Sequence, residues 1–209
     1  MKRWLSLFIT ACMLAPLAAA AQPQFAYTEV KPPLQTESDG KIEVIEFFWY
    51  GCPHCYTLEP TVEKWEKTIP KDVMFRRVPA VFSERWGLDA AIFYTFEAMG
   101  LLDKLHRPFF DAIHRDRLRT DNKEALFDWL QRQGVDTKKF DATMKSFGVQ
   151  SKTRRATQLT VLYKIDGTPA LAVNGRYTVS ADQGRTQAGM FETVNYLVDL
   201  ERKRTKGGK

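Results

Sequence analysis

The chain has 209 residues, of which 44% are hydrophobic and 12% aromatic, so it can bury a core without needing disulfides to fold. Much of the basic excess behind its formal net charge of +6 lies in the segments "SKTRRATQ" and "ERKRTKGGK". The sequence has no basic–aromatic array and no zinc-finger spacing, which argues against nucleic acid as a partner.

The N-terminus has the pattern of a secretory signal peptide. Two basic residues precede an apolar run, and the small residues of "AAAAQPQ" follow it. We predict a signal peptide over residues 1–21, cleaved near Ala21. An uncleaved anchor is the alternative, although the run is borderline short for a membrane span, and the lipoprotein-like "ITAC" would leave too short an apolar region. Cleavage removes Cys12 and leaves Cys52 and Cys55 as the only cysteines, in an oxidising compartment.

The first elements after the signal predict a βαβ unit. A short strand is expected within "FAYTEV", and "KIEVIEFFWY" has the β-branched and aromatic density of a buried central strand. From Pro53 onward the apolar residues recur at helical spacing, and Pro60 predicts a kink in that helix. The segment "DVMFRRVPAVF" then predicts a second strand, parallel to the first.

A block of about five helices is expected before the last strands. It runs from "ERWGLDAAIFYTFEAMG" to "SKTRRATQLTVLYKI", and the spacing of Asp121 and Glu124 predicts a capping box within it. The segment "TPALAVNGRYTVS" predicts a hairpin that turns at Asn174 and Gly175. A final amphipathic helix is expected over residues 186–202.

Several roles compete for Cys52 and Cys55, which are separated by two residues. A disulfide that closes so small a loop removes little entropy from the unfolded chain, so a structural staple is disfavoured. Zinc requires four ligands, and His106 and His114 lie far along the sequence in the helical block. Covalent haem requires a histidine after the second cysteine, where this chain has Tyr56. The spacing therefore favours a redox-active dithiol.

The position of the pair at the start of a helix predicts that the two thiols differ in acidity. Unpaired N–H groups and the helix dipole favour a thiolate at Cys52, whereas Cys55, one turn further in, is expected to be buried and less acidic. We predict that Cys52 forms a mixed disulfide with a substrate and that Cys55 resolves it. The imidazole of His54 is predicted to stabilise the thiolate and so to make the disulfide a stronger oxidant, unless His54 is only an exposed turn residue.

The motif "EFFWYGCPHCY" after a strand, with "GTPALAVNG" before a hairpin, resembles the thioredoxin fold of the DsbA family of thiol:disulfide oxidoreductases. The resemblance covers essentially the whole mature chain, and Pro53 and His54 complete its Cys-Pro-His-Cys motif. It implies an α/β architecture, namely a thioredoxin-like fold with an inserted α-helical domain. We divide the mature chain into a first thioredoxin-like part at 22–82, a helical insertion at 83–150 and a second thioredoxin-like part at 151–209.

The resemblance also implies roles for residues outside the cysteine motif. Pro169 matches a cis-proline that faces the cysteines, and Thr168 matches a position that tunes redox behaviour, where many family members carry valine. Glu46 matches a buried acid that moves a proton to or from Cys55, with Arg76 as a candidate charge partner. The alternatives are an ordinary trans-proline at the start of an edge strand for Pro169 and a solvent-facing strand residue for Glu46.

The partners implied by the resemblance are reduced, unfolded secreted proteins and a membrane quinone-linked reoxidase of the DsbB type. Four aromatic residues are candidates for an apolar surface that receives unfolded chains, although core packing is equally compatible with each: Trp49, Tyr50, Phe82 and Trp86. We expect a monomer that needs no cofactor beyond the Cys52–Cys55 disulfide and binds no metal.

The predicted function is that of a periplasmic dithiol oxidase, which transfers the Cys52–Cys55 disulfide to reduced secreted proteins. One alternative is a disulfide isomerase or reductase on the same fold, kept reduced by another partner. Against it, the few residues before the first strand leave no room for a separate N-terminal dimerisation domain. The other alternative is a peptide-binding chaperone whose cysteines are incidental.

Overall fold

The computed structural model describes residues 25–207, with side chains as far as Thr205. The predicted signal peptide, its cleavage site and Cys12 lie outside the described residues. Within them, five strands form one sheet in the order β1-β5-β4-β2-β3, and eight helices surround it. Strands β2 and β3 are parallel, and the other neighbours are antiparallel. The strands are β1 (Thr28–Glu29), β2 (Ile42–Phe48), β3 (Val73–Pro79), β4 (Ala170–Val173) and β5 (Tyr177–Ser180).

The helices fall into three groups along the chain. Helix α1 (Pro53–Glu66) connects the parallel strands, which confirms the predicted βαβ unit. The five predicted helices between β3 and β4 are also confirmed, as α2 (Glu84–Ala98), α3 (Leu102–His114), α4 (Lys123–Arg132), α5 (Thr137–Met144) and α6 (Phe147–Leu162). The short α7 (Ala181–Gly184) and the long α8 (Gln187–Gly207) end the fold.

This arrangement is the predicted α/β architecture with helices inserted between β3 and β4. The division of the chain into domains stays a prediction, and its boundary at residue 150 falls within α6. Within the described residues 25–207, no helix combines the length and the apolar character needed to cross a bilayer.

One local prediction needs correction. The N-cap of α4 is Asn122, whose side chain accepts a hydrogen bond from the backbone N–H of Ala125 at 3.1 Å, and the predicted cap residue Asp121 pairs with Arg119 instead. Helix α1 continues through Pro60 to Glu66, and the kink at Pro60 stays a prediction.

The hairpin turn has the predicted geometry. Asn174 and Gly175 both have positive φ, at 50° and 66°, as the mirror-image turns favoured in tight hairpins require. The turn therefore returns the chain along β5 next to β4, at the far side of the sheet from β3.

Strand β2 lies at the centre of the molecule, because apolar clusters cover both faces of the sheet. One cluster packs Ile45 and Phe47 against the inserted helices, and the other packs Val44 against α1 and α8. All seven residues of β2 are buried. A charged side chain on this strand, such as that of Glu46, must therefore find a partner or give up its charge.

Candidate active site

Cys52 lies where β2 gives way to α1, at the N-terminus of the helix. Its backbone is extended (φ −85°, ψ 116°), and its Sγ accepts a hydrogen bond from the backbone N–H of Cys55 at 3.4 Å. Pro53 occupies the first turn of the helix, where a missing N–H costs nothing. The sulfur of Cys52 is therefore itself the N-cap of α1, facing the N–H groups that the helix leaves unpaired.

The two sulfurs, both free thiols in this structure, have opposite acidities. A hydrogen bond from the Cys55 thiol is the largest of the effects that lower the pKa of Cys52 to about 5, with the Thr168 hydroxyl and the N–H groups of Cys55 and His54 acting in the same direction. Burial raises the pKa of Cys55 well above its ordinary value, and the hydrogen bond that it gives to Cys52 adds to the effect. Cys52 is thus a thiolate at neutral pH and Cys55 a thiol.

The loop before β4 brings Thr168 and Pro169 next to the cysteines. The peptide bond between them is cis. The Sγ of Cys52 lies 3.3 Å from the backbone oxygen of Thr168, a contact between residues 116 positions apart. Pro169 and His54 line one small cavity beside the cysteine pair, together with Met190 of α8.

His54 is exposed, and the contact through which it stabilises the Cys52 thiolate is its backbone N–H. The contribution of the imidazole itself stays a prediction. The backbone contact follows from the geometry of a helix start, where the backbone N–H groups point at the N-cap residue while the side chains project outward.

Glu46 is fully buried on β2, and its charge partner is Arg77, with Arg77 Nε 3.3 Å from Glu46 Oε2. The expectation that Arg76 fills this role was wrong. Parallel pairing places Arg77 opposite Glu46 in the sheet, whereas Arg76 pairs with Glu43 at 3.0 Å. Burial, followed by repulsion from Glu59, raises the pKa of Glu46 to about 8, so that its carboxyl group holds a proton at neutral pH.

His106 is a residue near this cluster whose position the sequence did not reveal. Its Nδ1 lies 2.8 Å from the Tyr50 hydroxyl, and its Nε2 lies 3.4 Å from Glu59 Oε1. Arg77 Nη2 reaches the same oxygen of Glu59 at 2.8 Å. The one signal in the sequence is that His106 lies between Leu105 and the buried phenylalanines of α3, on an otherwise apolar helix face.

His114 also lies close to the cysteine helix. Its ring stacks on Tyr56, the residue after Cys55, with centroids 4.7 Å apart, and its Nε2 lies 2.8 Å from the backbone oxygen of Tyr50. His106 and His114 are far from the cysteine motif along the sequence but close to its helix in space, because α3 packs directly against α1. Even so, the described part of the chain holds no cluster of three His, Cys, Asp or Glu side chains suited to a metal ion.

Three of the four candidate aromatic residues form a partly exposed surface beside the motif. Trp49 stacks on Trp86 with centroids 4.1 Å apart, and Phe82, which is 45% exposed, packs against the edge of Trp86. Tyr50 is an exception, because it is buried in the core. Trp49 is held in place by a 2.7 Å hydrogen bond from its Nε1 to the buried Asp89 of α2.

The site thus combines an acidic thiol, a buried thiol and a protonated buried carboxyl group. Such a set can exchange a disulfide with another protein, because Cys52 is a good nucleophile and a good leaving group. The only redox group that this chemistry requires is a disulfide within the chain.

Comparison with known proteins agrees with this chemistry. A family model described as a DSBA-like thioredoxin domain matches residues 77–189. The thiol:disulfide interchange protein DsbA of Bordetella parapertussis is 43% identical over 192 residues, which are 91% of each chain. Its counterpart in Pseudomonas aeruginosa strain PAO1 is 37% identical over 180 residues, covering 86% of this chain and 85% of that one.

Solved structures show the same fold. The crystal structure of Pseudomonas aeruginosa DsbA superposes with a TM-score of 0.83 at 36% identity, over 87% of this chain and 95% of that one. The oxidoreductase DsbA from Xylella fastidiosa gives a TM-score of 0.78 at 31% identity, over 85% and 95% of the two chains. This chain therefore belongs to the DsbA family, with a thioredoxin-like fold, and is a thiol:disulfide oxidoreductase.

Proposed function

We propose that this protein is a periplasmic dithiol oxidase, which transfers its Cys52–Cys55 disulfide to reduced secreted proteins through a mixed disulfide. The observation that carries the proposal is the opposite acidity of the two sulfurs. An acidic Cys52 stabilises the reduced form of the enzyme, and a stabilised reduced form makes the disulfide a stronger oxidant.

The reaction proceeds in two exchanges. A substrate thiolate attacks Cys52 Sγ, the Cys52–Cys55 bond breaks, and the electron pair leaves on Cys55, which takes up a proton from Glu46. A second substrate thiolate then attacks the substrate sulfur of the mixed disulfide. Cys52 leaves as a thiolate, and the substrate keeps the new disulfide.

The roles of the surrounding residues follow from their contacts. Thr168 and Pro169 lie beside Cys52, where they can hold an extended substrate chain against the reacting sulfur. His54 and Pro53 shape the helix start that stabilises the thiolate. The surface of Trp49, Trp86 and Phe82 offers apolar contacts to an unfolded chain.

The predicted signal peptide supports the periplasm as the location, because it directs the chain across the inner membrane. A disulfide donor needs a partner that reoxidises it, and a membrane quinone-linked protein of the DsbB type is the partner that we propose. We further propose that the enzyme acts as a monomer on reduced, unfolded secreted proteins.

A refolding assay tests the oxidase activity. Oxidised enzyme is mixed with a reduced, unfolded protein that needs disulfides, and the loss of free thiols is followed. Wild type is expected to oxidise the client stoichiometrically, Cys52→Ser to be inactive, and Cys55→Ser to accumulate a mixed disulfide once Cys52 has reacted with an activated client thiol. Full thiol-oxidising activity of Cys52→Ser would contradict the proposal, and wild-type enzyme that leaves the client thiols free would instead support a chaperone with incidental cysteines.

A second measurement separates an oxidase from an isomerase or reductase. The redox state of the enzyme in the periplasm is fixed by acid quenching and alkylation, and its potential is measured against glutathione. An oxidase is expected to be mainly oxidised in cells. A protein found mainly reduced would contradict the proposal and would favour the isomerase.

A further inference from the structure

A cleft of about 340 Å³ opens beside α1, β3 and α3. Buried side chains at its base belong to the cluster around Glu46, since Glu59, Arg77 and His106 all line it. Of these three, Arg77 alone has an obvious role, as the charge partner of Glu46. The structure therefore poses the question of why a histidine is buried here.

The two polar contacts of His106 select one neutral tautomer. Its Nδ1 and the Tyr50 hydroxyl lie 2.8 Å apart, and its Nε2 faces the carboxylate of Glu59 at 3.4 Å. A lone pair on Nε2 would repel that carboxylate, so the proton lies on Nε2 and Tyr50 donates to Nδ1. Burial lowers the pKa of His106 despite the nearby Glu59, which keeps the ring neutral at neutral pH.

An apolar side chain would fill this position if packing were its only role. The His106 ring is enclosed by the rings of Phe48, Phe93 and Phe110, with centroids 5.2 to 5.9 Å away. Burying a polar ring among them costs free energy unless its nitrogens are used. Tyr50 uses Nδ1 through a hydrogen bond, whereas Nε2 faces the Glu59 carboxylate at 3.4 Å without reaching hydrogen-bond geometry within the described residues, so its use is electrostatic.

Glu59 connects His106 to the acid beneath the cysteines. Burial acts to raise the pKa of Glu59, but the contacts from His106 and Arg77 outweigh it, and the net effect is a lowered pKa. Glu59 is therefore an anion. Its negative charge is, after burial, the largest cause of the raised pKa of Glu46, and both carboxyl oxygens of Glu46 lack a hydrogen-bond partner within the described residues.

Other charged groups around the cluster also shift the pKa values of Glu46 and His106. Glu66 of α1 adds to the repulsion on Glu46, and Arg77 of β3 opposes it. For His106, Glu63 of α1 favours the protonated ring and Arg77 disfavours it. Neither effect replaces the direct contact between His106 and Glu59.

We propose that His106 is a positioning residue for disulfide exchange: its Nε2–H holds Glu59 as an anion, and this anion keeps the proton of Glu46 in place for Cys55. The proton is needed once per turnover, when the Cys52–Cys55 bond breaks and leaves the electron pair on Cys55. Glu46 then gives its proton to the Cys55 thiolate and regains one from solvent. The inference rests on the proposed function, since it assigns His106 to the buried half of that reaction.

A matched pair of amide substitutions tests the proposal. The shorter side chain of His106→Asn retains a partner for Tyr50 and loses the donor that reaches Glu59, whereas His106→Gln keeps a donor at the distance of Nε2. The readout is the titration midpoint of the Glu46 carboxyl carbon by NMR of the oxidised protein, in which neither sulfur titrates. The signal is assigned by its loss in Glu46→Gln.

We expect Glu59→Gln to lower the Glu46 midpoint by about one to two pH units, because it removes a like charge. His106→Asn is expected to shift it in the same direction by a smaller amount, and His106→Gln to restore the wild-type value. In the Glu59→Gln background, His106→Asn is expected to have no further effect, because its action passes through Glu59. If His106→Asn does not fold, His106→Phe, which fills the aromatic enclosure, takes its place.

An unchanged midpoint in the folded His106→Asn or His106→Phe protein would overturn the proposal. An equal shift with and without Glu59, or a failure of His106→Gln to restore the midpoint, would overturn it as well. These outcomes are distinct from a failure of the proposed function, because the refolding assay with wild-type enzyme decides that question separately.

Discussion

The hydroxyl of Thr168 is expected to set part of the oxidising strength of the enzyme. It is one of four contacts that hold the pKa of Cys52 near 5. A hydrogen bond to a charged group contributes about 1.5–3 kcal/mol, and we take about 1.4 kcal/mol because the other three contacts remain. Thr168→Val, which keeps the shape and removes the hydroxyl, should then raise the pKa by about one unit and make the reduction potential about 30 mV more negative.

The sign of the shift in potential follows from the thiolate. Valine destabilises the thiolate, which exists only in the reduced enzyme, so the disulfide becomes a weaker oxidant. The pKa is measured from the ultraviolet absorbance of the Cys52 thiolate as a function of pH, and the potential from equilibrium with glutathione. Thr168→Ser is the matched control, because it keeps the hydroxyl. If the valine and serine variants had the same pKa and potential, the reasoning would be refuted.

Three further predictions concern stability. Arg77→Met leaves the buried Glu59 anion without its arginine partner and should cost about 3–5 kcal/mol at neutral pH; since the loss of that positive charge raises the pKa of Glu59, denaturant midpoints should recover as the pH falls towards 5, and an equal loss at both pH values would contradict this. Gly51→Ala places a methyl group in the space of the Trp49 indole and should destabilise the fold by about 1–3 kcal/mol, so a wild-type melting temperature would refute the overlap. The low pKa of Cys52 should make the reduced protein progressively more stable as the pH rises from about 5 towards the unfolded thiol value near 8.5. Chemical unfolding of the reduced and oxidised forms across that range measures this effect. A difference in unfolding free energy between the two forms that does not change with pH would contradict it.

The predictions that the structure confirms depend on short stretches of chain. The buried strand before the motif, the helix starting at Pro53 and the turn at Asn174 and Gly175 follow from residues a few positions apart. The acidity of Cys52 belongs to the same class, since the N–H groups at a helix start are supplied by the next few residues.

The errors arose where a contact joins distant segments. Arg76 and Arg77 are neighbours in the chain, and only the register of β3 against β2 decides which of them faces Glu46. The capping error at Asp121 has a different cause: the predicted N-cap was one residue too early, at a helix end, where boundaries are hardest to predict from sequence.

The sequence by itself determined that two thiols of unequal acidity lie at a helix start after a buried strand. The tertiary structure decided what surrounds them: Thr168 beside Cys52, and Arg77, Glu59 and His106 around the buried acid. The physical reason is that helix starts and strand patterns are set by local backbone geometry and side-chain spacing, whereas strand register and the packing of α3 on α1 are set by burial summed over the whole chain.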